Sequence, residues 1–293
     1  MSAPVGASKL MPLREAIARF VRDGDRVSAA CGLEARIPFA AGHEIIRQGR
    51  TNLTLIGPIS DALYDQLVGA GCAASIEAAW VGNVGSGLGH NFRRAVEHGV
   101  PRPLRAVDYT NLTLALGLRA AAEGVPFAVT RSIAGTDLAQ QTDAFRPIAD
   151  PFGGDPTVAV KAIPVDVAIV HAQLADARGN AQIFGNLGTS LDSVRAAGRV
   201  ILTVEELVSA DILRAEPNAT VVPGFLVDAV VVEPFGAHPA PVLGFTDRDH
   251  AFFDAYARAS RTRDGWLAWK AAWIDEVADR PAYLERLQST STA

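Results

Sequence analysis

From Pro12 onward the chain alternates segments of helical periodicity with short β-branched runs, and several of these runs pass directly into loops rich in glycine and polar residues. Parallel strands need a crossover between them, so the alternation predicts an α/β fold: an open, mainly parallel sheet flanked by helices. The helical pattern Leu13–Phe20 leads through the turn Asp23-Gly24-Asp25 to a strand near Arg26–Ala30, a loop Cys31–Pro38 and a helix holding Ala41–Arg47. Further strands are expected at Asn52–Ile56, Ile76–Val81, Phe127–Val129, Val158–Ile163, Val165–Val170, Val200–Val204 and Val227–Val232. Helices are expected at Asp61–Val68, Asn91–Glu97, Leu112–Glu123 and Leu191–Ala197, the second ending on Gly99 and the third on Gly124 and Pro126. Residues 133–157 lack periodicity and hold Gly135, Pro147, Pro151, Gly153, Gly154 and Pro156, which predicts a long loop or lid. Ala251–Val277 and Arg280–Leu287 are expected to be terminal helices. The division that follows is an α/β domain over 1–248 and a helical extension over 249–293.

Composition removes several function classes. A net charge of −5 offers no basic field for a nucleic-acid backbone, and no cluster of Lys and Arg interleaved with aromatics is present. Lys stands only at positions 9, 161 and 270, so nearly all the cations are Arg, a coding bias rather than a function. Cys31 and Cys72 are the only cysteines and form no Cys-x-x-Cys, which excludes a disulfide framework and a zinc knuckle. Lys9, Arg14, Glu15 and Arg19 interrupt the apolar positions before Val21, and Asp166 and Asp228 break the most apolar stretches. A soluble, cytoplasmic protein is the expectation. The aromatic residues Phe252, Phe253, Tyr256, Trp266, Trp269 and Trp273 recur at helical spacing, which points to packing on the sheet or against a partner.

The common signatures of self-contained nucleotide and hydrolase enzymes are missing. There is no G-x-x-x-x-G-K-[ST], no G-x-G-x-x-G opening a helix and no G-x-S-x-G, and His43-Glu44 has no second His four residues on. What remains is three loops after strands: Gly32 within Cys31–Pro38, then Gly57-Pro58-Ile59-Ser60, then Gly82-Asn83-Val84-Gly85-Ser86-Gly87-Leu88-Gly89. In an open parallel sheet they meet at the carboxyl edge, where ligands bind. Glycine there exposes backbone N–H groups to an anion or carbonyl oxygen, and Arg93 and Arg94 add charge. One such loop says little, because tight turns need glycine anyway; three in succession point to a binding edge.

An ordered series of segments runs through these loops and beyond. It comprises Asp23-Gly24-Asp25-Arg26-Val27, His43 to Gly49, Asn52-Leu53-Thr54, Trp80-Val81-Gly82, Phe92 to Glu97, Tyr109-Thr110-Asn111-Leu112, Val125-Pro126-Phe127 and Thr130-Arg131-Ser132. The carboxyl half adds Asp176 to Asn180, Thr203 to Leu207 and Phe235-Gly236-Ala237-His238-Pro239. The series resembles the α subunit of family I CoA-transferases, most closely the glutaconate CoA-transferase type, over most of the chain.

That resemblance implies a ping-pong exchange in which a glutamate attacks an acyl-CoA and then carries CoA as a thioester to an acceptor acid. The glutamate lies on a β subunit, in a glycine-flanked signature not found here, so this chain is expected to act only in a hetero-oligomer such as α2β2. Coenzyme A is then a substrate, and no resident cofactor or metal is expected. The implied substrate-side positions are Gly32, Gly57, Ser60, Gly82, Asn83, Asn111 and Arg131. The second loop departs from the family pattern: Pro58 and Ile59 stand where an oxyanion-stabilising amide is usual, leaving backbone N–H groups or the Ser60 hydroxyl to serve. Asn111 falls at a polar pocket position and also reads as an N-cap before Leu112. Arg131 suits a substrate carboxylate or a surface ion pair. Asp176, Gly179 and Asn180 read as a side-chain-stabilised turn, and His238 as a residue holding a loop at a subunit interface. Two alternatives remain. Related paired subunits open steroid-derived rings on a CoA thioester by hydrolysis, but they carry a glutamate near the position of Asn111, and an amide cannot act as that base. The same scaffold also serves as a non-catalytic effector-binding domain, usually beside a DNA-binding helix-turn-helix, which is not evident here.

Overall fold

The computed structural model describes residues 8–29 and 32–291, so Ala30 of the first expected strand and Cys31 of the first loop lie outside the described residues. The elements follow one another as α1 (Leu13–Phe20), β1 (Arg26–Ser28), α2 (Phe39–Arg47), β2 (Leu53–Ile59), α3 (Ala62–Gly69), β3 (Ala73–Trp80), β4 (Gly82–Asn83), β5 (Gly87–Leu88) and α4 (His90–His98). Then come β6 (Arg105–Asp108), α5 (Asn111–Ala122), β7 (Phe127–Thr130), α6 (Leu138–Gln141), β8 (Phe145–Ile148), β9 (Thr157–Lys161), β10 (Val165–Ala175), β11 (Ala181–Gln182) and α7 (Ser190–Ala196). The chain closes with β12 (Ala197–Leu207), α8 (Ala210–Ala215), β13 (Thr220–Val222), β14 (Ala229–Val232), α9 (His250–Ser260), α10 (Arg263–Lys270) and α11 (Arg280–Ser291).

The main sheet is a parallel ladder in the order β14-β12-β10-β1-β2-β3-β6. The far end of β10 also pairs antiparallel with β11, which pairs with β13. Successive residues of a strand point to opposite faces, and here both faces are covered. Val167, Ile169 and Ile201 enter the core beneath α2, α3 and the C-terminal helices, whereas Ala168, Val170 and Leu202 enter the core beneath α5 and α7. Strands buried on both sides carry apolar side chains on both faces, which is why these runs lack the alternation of a half-exposed strand. Each Val, Leu or Ile among them contributes about 1.5–3 kcal/mol on burial.

Three expectations are corrected. Residues 133–157 contain a helix, α6, and a strand, β8, and β8 pairs antiparallel with β9, which pairs antiparallel with β7. The run from Val158 therefore forms the centre of a separate three-stranded sheet packed on α5, rather than a strand of the parallel ladder. The stretch Ala251–Val277 is two helices followed by a wider turn over Ala271–Asp275. The Thr262 hydroxyl accepts a hydrogen bond from Gly265 N (3.0 Å) and starts a new helix there.

The C-terminal aromatics close one face of the sheet. Phe252 meets Trp269 at 4.9 Å between ring centroids, Tyr256 meets Trp269 at 5.4 Å, and Phe253 meets Phe39 of α2 at 6.1 Å. Among them lies one fully buried carboxylate. Asp65 of α3 accepts from Phe92 N (2.7 Å), Asn91 Nδ2 (3.1 Å) and the Tyr256 hydroxyl, binding three helices at one point. Burial pushes its pKa up, and the three donors oppose that shift. Replacing Tyr256 with Phe removes one donor from a carboxylate that water cannot reach. We expect a loss of about 1–3 kcal/mol in urea unfolding; an unchanged midpoint would show that Asp65 does not depend on this donor.

Candidate active site

All strands of the ladder end at one edge, so the segments after β1, β2, β3 and β6 stand side by side there. Gly32 is buried in the turn after β1, where Ala35 N bonds to its carbonyl (3.3 Å). Its place is too tight for a side chain, since an added Cβ would lie 2.3 Å from Ala35 O. Gly57 lies inside β2, opposite Ala78 of β3, and the strand runs on to Ile59 opposite Trp80. The expected loop Gly57–Ser60 is thus mostly strand, and the connection to α3 begins at Ser60. β1 stops opposite Ile56, so Pro58 faces no partner strand on that side and its missing N–H breaks no ladder bond there.

Ser60 is fully buried and its hydroxyl donates to Asp61 O (3.3 Å). Asp61 has φ 48° and ψ −144°, a conformation that costs a non-glycine residue about 1–3 kcal/mol. Its carboxylate holds it there. Oδ1 accepts from Val84 N (2.9 Å) and Oδ2 from Arg248 Nη1 (2.6 Å). Gly82 and Asn83 form β4, paired with β5 across a short hairpin. The Asn83 side chain is buried and donates to Phe253 O (2.9 Å), anchoring the hairpin to α9.

Asn111 is the first residue of α5, and the cap is its neighbour. Thr110 accepts from Thr113 N (3.0 Å) while Thr113 Oγ1 accepts from Thr110 N (2.8 Å), a reciprocal capping box. The exposed Asn111 side chain takes no part in it. Arg131 follows β7. Its strand belongs to the small sheet, where Thr130 pairs with Val158 of β9. The Arg131 side chain is mostly exposed, and Nη2 pairs with Asp150 Oδ2 (3.2 Å). The fold therefore brings Gly32, Ser60, Gly82 with Asn83, and Asn111 to adjacent positions on the edge, while Arg131 stands on the separate small sheet.

Polar residues along β10 and β12 and in the loops beyond β10 and β14 fix the other half of the sheet. His171 bridges Thr203 Oγ1 and Glu205 Oε1, both at 2.8 Å, and Glu205 Oε2 accepts from Phe235 N (2.7 Å). His238 is buried between the Tyr283 hydroxyl (2.9 Å) and Asp249 Oδ2 (3.1 Å), so it pins its loop to helices of its own chain. Burial, with Arg280 nearby, pushes its pKa down to about 4. Asp176 accepts from Arg178 N, Asn180 N and Asn180 Nδ2 and closes its turn. On the β14 side of the ladder, a cavity of about 700 Å³ opens between α2, β14 and the residues leading into α11. On its wall stands Glu233, whose pKa burial raises to about 7 despite the opposing charges of Arg280 and Arg47. Among the described residues, no group of His, Cys, Asp and Glu could hold a metal ion.

The family described as coenzyme A transferase matches residues 10–233, and the edge just described lies within that span apart from Arg248 and α9. The chain belongs to the coenzyme A transferase family. It is 42% identical to the A-type subunit of 3-oxoadipate CoA-transferase from Pseudomonas knackmussii over 272 residues, 93% of this chain and 95% of that one. The crystal structure of glutaconate coenzyme A-transferase from Acidaminococcus fermentans superposes with a TM-score of 0.91 at 34% identity, covering 97% of this chain and 94% of that one. A cholesterol ring-cleaving hydrolase IpdA subunit of Mycobacterium tuberculosis is 30% identical over 273 residues, 88% of this chain and 90% of that protein. The overall architecture expected from sequence, a mostly parallel sheet with flanking and C-terminal helices, is that of the glutaconate CoA-transferase.

Two measurements test the local assignments in this CoA-transferase. Thr110→Ala should cost about 0.5–2 kcal/mol of stability through the lost cap, while Asn111→Ala should stay within about 0.5 kcal/mol of the parent. The reverse ranking in thermal unfolding would return the cap to Asn111. For Glu233, both states are protonated below the ordinary carboxylate pKa of 4.5. As pH rises to about 7 the native state is the slower to release its proton, so this group's contribution to stability is lost across that window. The stability difference between Glu233→Gln and the parent should shift in favour of the variant from about pH 5 to about pH 8. A constant difference would show that the carboxyl titrates normally. Comparing the two proteins cancels His43 and His238, whose lowered pKa values act in the opposite direction.

Proposed function

We propose that this chain is the A-type subunit of a heteromeric CoA-transferase, and that its carboxyl edge forms one wall of a site completed by a partner carrying the nucleophilic glutamate. The observation that carries this reading is the convergence of four strand-end segments on one open edge, with the uncommitted Asn111 side chain among them. Near-complete coverage by chains named as A-type subunits of CoA-transferases supports it. Large apolar side chains at this end, Trp80, Leu88 and Leu112, are exposed, as a surface awaiting another chain would be.

In the proposed cycle the partner's glutamate attacks the thioester carbonyl, the C–S bond breaks, and CoA leaves as a thiolate. The thiolate attacks the glutamyl carbonyl of the resulting anhydride, releasing the first acid and leaving a glutamyl-CoA thioester. An acceptor carboxylate then runs the same two steps in reverse, so no net proton is taken up. Each step passes through an oxyanion that needs donors. With Ser60 buried and bonded to Asp61 O, backbone N–H groups of the edge segments and the Asn111 amide are the donors this chain offers. The relative named for 3-oxoadipate directs the choice of acid to dicarboxylates, for which the mostly exposed Arg131 is the candidate cation: its ion pair with Asp150 uses Nη2, and the other N–H groups of the guanidinium are open to a substrate carboxylate. The hydrolytic alternative is disfavoured by Asn111, which cannot replace a glutamate base.

The test is to co-purify the chain with its partner, incubate with an acyl-CoA, and weigh each polypeptide with and without borohydride or hydroxylamine. A CoA adduct on the partner, discharged by 3-oxoadipate faster than by a monocarboxylic acid, is the expected result. No adduct with any acyl-CoA tried would sink the covalent mechanism, and an adduct on this chain would misplace the nucleophile.

A further inference from the structure

We infer that Arg248 is a positioning residue for CoA transfer, clamping the segment after β2 to the glycine-rich hairpin after β3 from a support outside the part of the chain that the family matches. This rests on the proposed location of the site at the carboxyl edge. The geometry is specific. Arg248 Nη1 donates to Asp61 Oδ2 and Nη2 to Val84 O, both at 2.6 Å, while Val84 N donates to Asp61 Oδ1 (2.9 Å). One guanidinium and one carboxylate thus grip both polar groups of the Val84 backbone. The guanidinium also lies 3.8 Å from the ring centroid of Phe253 on α9, which fixes its plane.

Two further contacts show that α9 is the support. Asn83 Nδ2 bonds to Phe253 O, and Ser86 Oγ to Asp254 Oδ1 (2.5 Å). The hairpin has glycines at two exposed positions of positive φ, Gly85 and Gly87, and would otherwise have little to fix it. Asp61, in turn, keeps its left-handed backbone only while its carboxylate is held, and it is the residue next to Ser60. Releasing the clamp therefore relaxes both segments at once, and their spacing sets where backbone donors meet the oxyanion. Asp61 is completely buried and the Arg248 side chain is 12% exposed, so the pair is not a surface ion pair screened by water.

The experiment uses the co-purified pair and compares Arg248→Met, Arg248→Lys and Asp61→Asn with the parent and with the Asp61→Asn/Arg248→Met double variant. The double variant removes both charges, so it reports even where the single Met leaves a buried carboxylate that prevents folding. A displacement of about 1 Å at a reacting centre costs on the order of 100-fold, so kcat in Arg248→Met or the double variant should fall by about 10- to 100-fold. Co-purification and circular dichroism should be unchanged. Added guanidinium should restore part of the rate in the Met variant, and Lys should restore less than Arg. Parent-like kcat and KM in a folded double variant would overturn the inference, as would a rate loss matched by loss of folded pair with no guanidinium rescue. An inactive parent pair would instead count against the transferase reading itself.

Discussion

The parallel ladder is the constraint on which everything else in this chain rests. Because neighbouring strands run the same way, each must be followed by a return across a face of the sheet, and every return leaves from the same edge. The helices that make those returns bury both faces, which is why the strands are mainly apolar, their buried polar residues such as His171, Thr203 and Glu205 bonding to one another, and the departing turns carry much of the glycine. Function at the carboxyl edge is thus a consequence of how the hydrophobic residues are satisfied: the edge is where backbone is left without a cover.

A loose edge of that kind would bind poorly, and the C-terminal third of the chain addresses this. Its aromatic rings form a layer against α2 and α3, and polar pins pass through the layer at a few points: Asp65 to Tyr256, Asn83 to Phe253 O, His238 to Asp249 and Tyr283, and Arg248 to Asp61. Apolar packing gives the layer its stability, whereas directional bonds give the loops their positions. The residues placed in a helical extension by sequence share one core with the sheet, since Phe253, Tyr256, Trp266 and Tyr283 belong to the same buried cluster as Leu55 and Val167.

Local chemistry is readable in the sequence, and long-range pairing is not. α1 is expected and found at Leu13–Phe20, and Gly99 adopts the left-handed conformation expected at the end of α4, because both depend on signals within one or two turns. Six of the seven ladder strands stand out as short apolar runs, with ends misplaced by a few residues, whereas β6 (Arg105–Asp108), bounded by two charged residues, goes unexpected. By contrast, β8 in the expected lid has no apolar signature of its own and exists because β9 offers it an edge. The site residues divide in the same way. Asn111 is located by its motif, but its neighbour Thr110 is hidden as the cap, since the decisive partner is the Thr113 hydroxyl in place of the more familiar Glu or Gln. Asp61 reads as the start of a helix and Arg248 as one charge among several. Their bond spans 187 residues and no spacing rule reaches that far.

β1 is the shortest strand in the middle of the ladder, and its neighbours overrun it. It ends at Ser28 opposite Ile56 and Ala168, while β2 continues to Ile59 and β10 to Ala175. At the centre of the sheet the point where β1 ends is therefore flanked by strand on both sides, with Ala29 N fixed there by the Tyr64 hydroxyl (3.0 Å). A ligand at that part of the edge meets strand ends that need no ordering before they can make contacts. The conformational entropy was already spent when the chain folded, and the binding step is spared it.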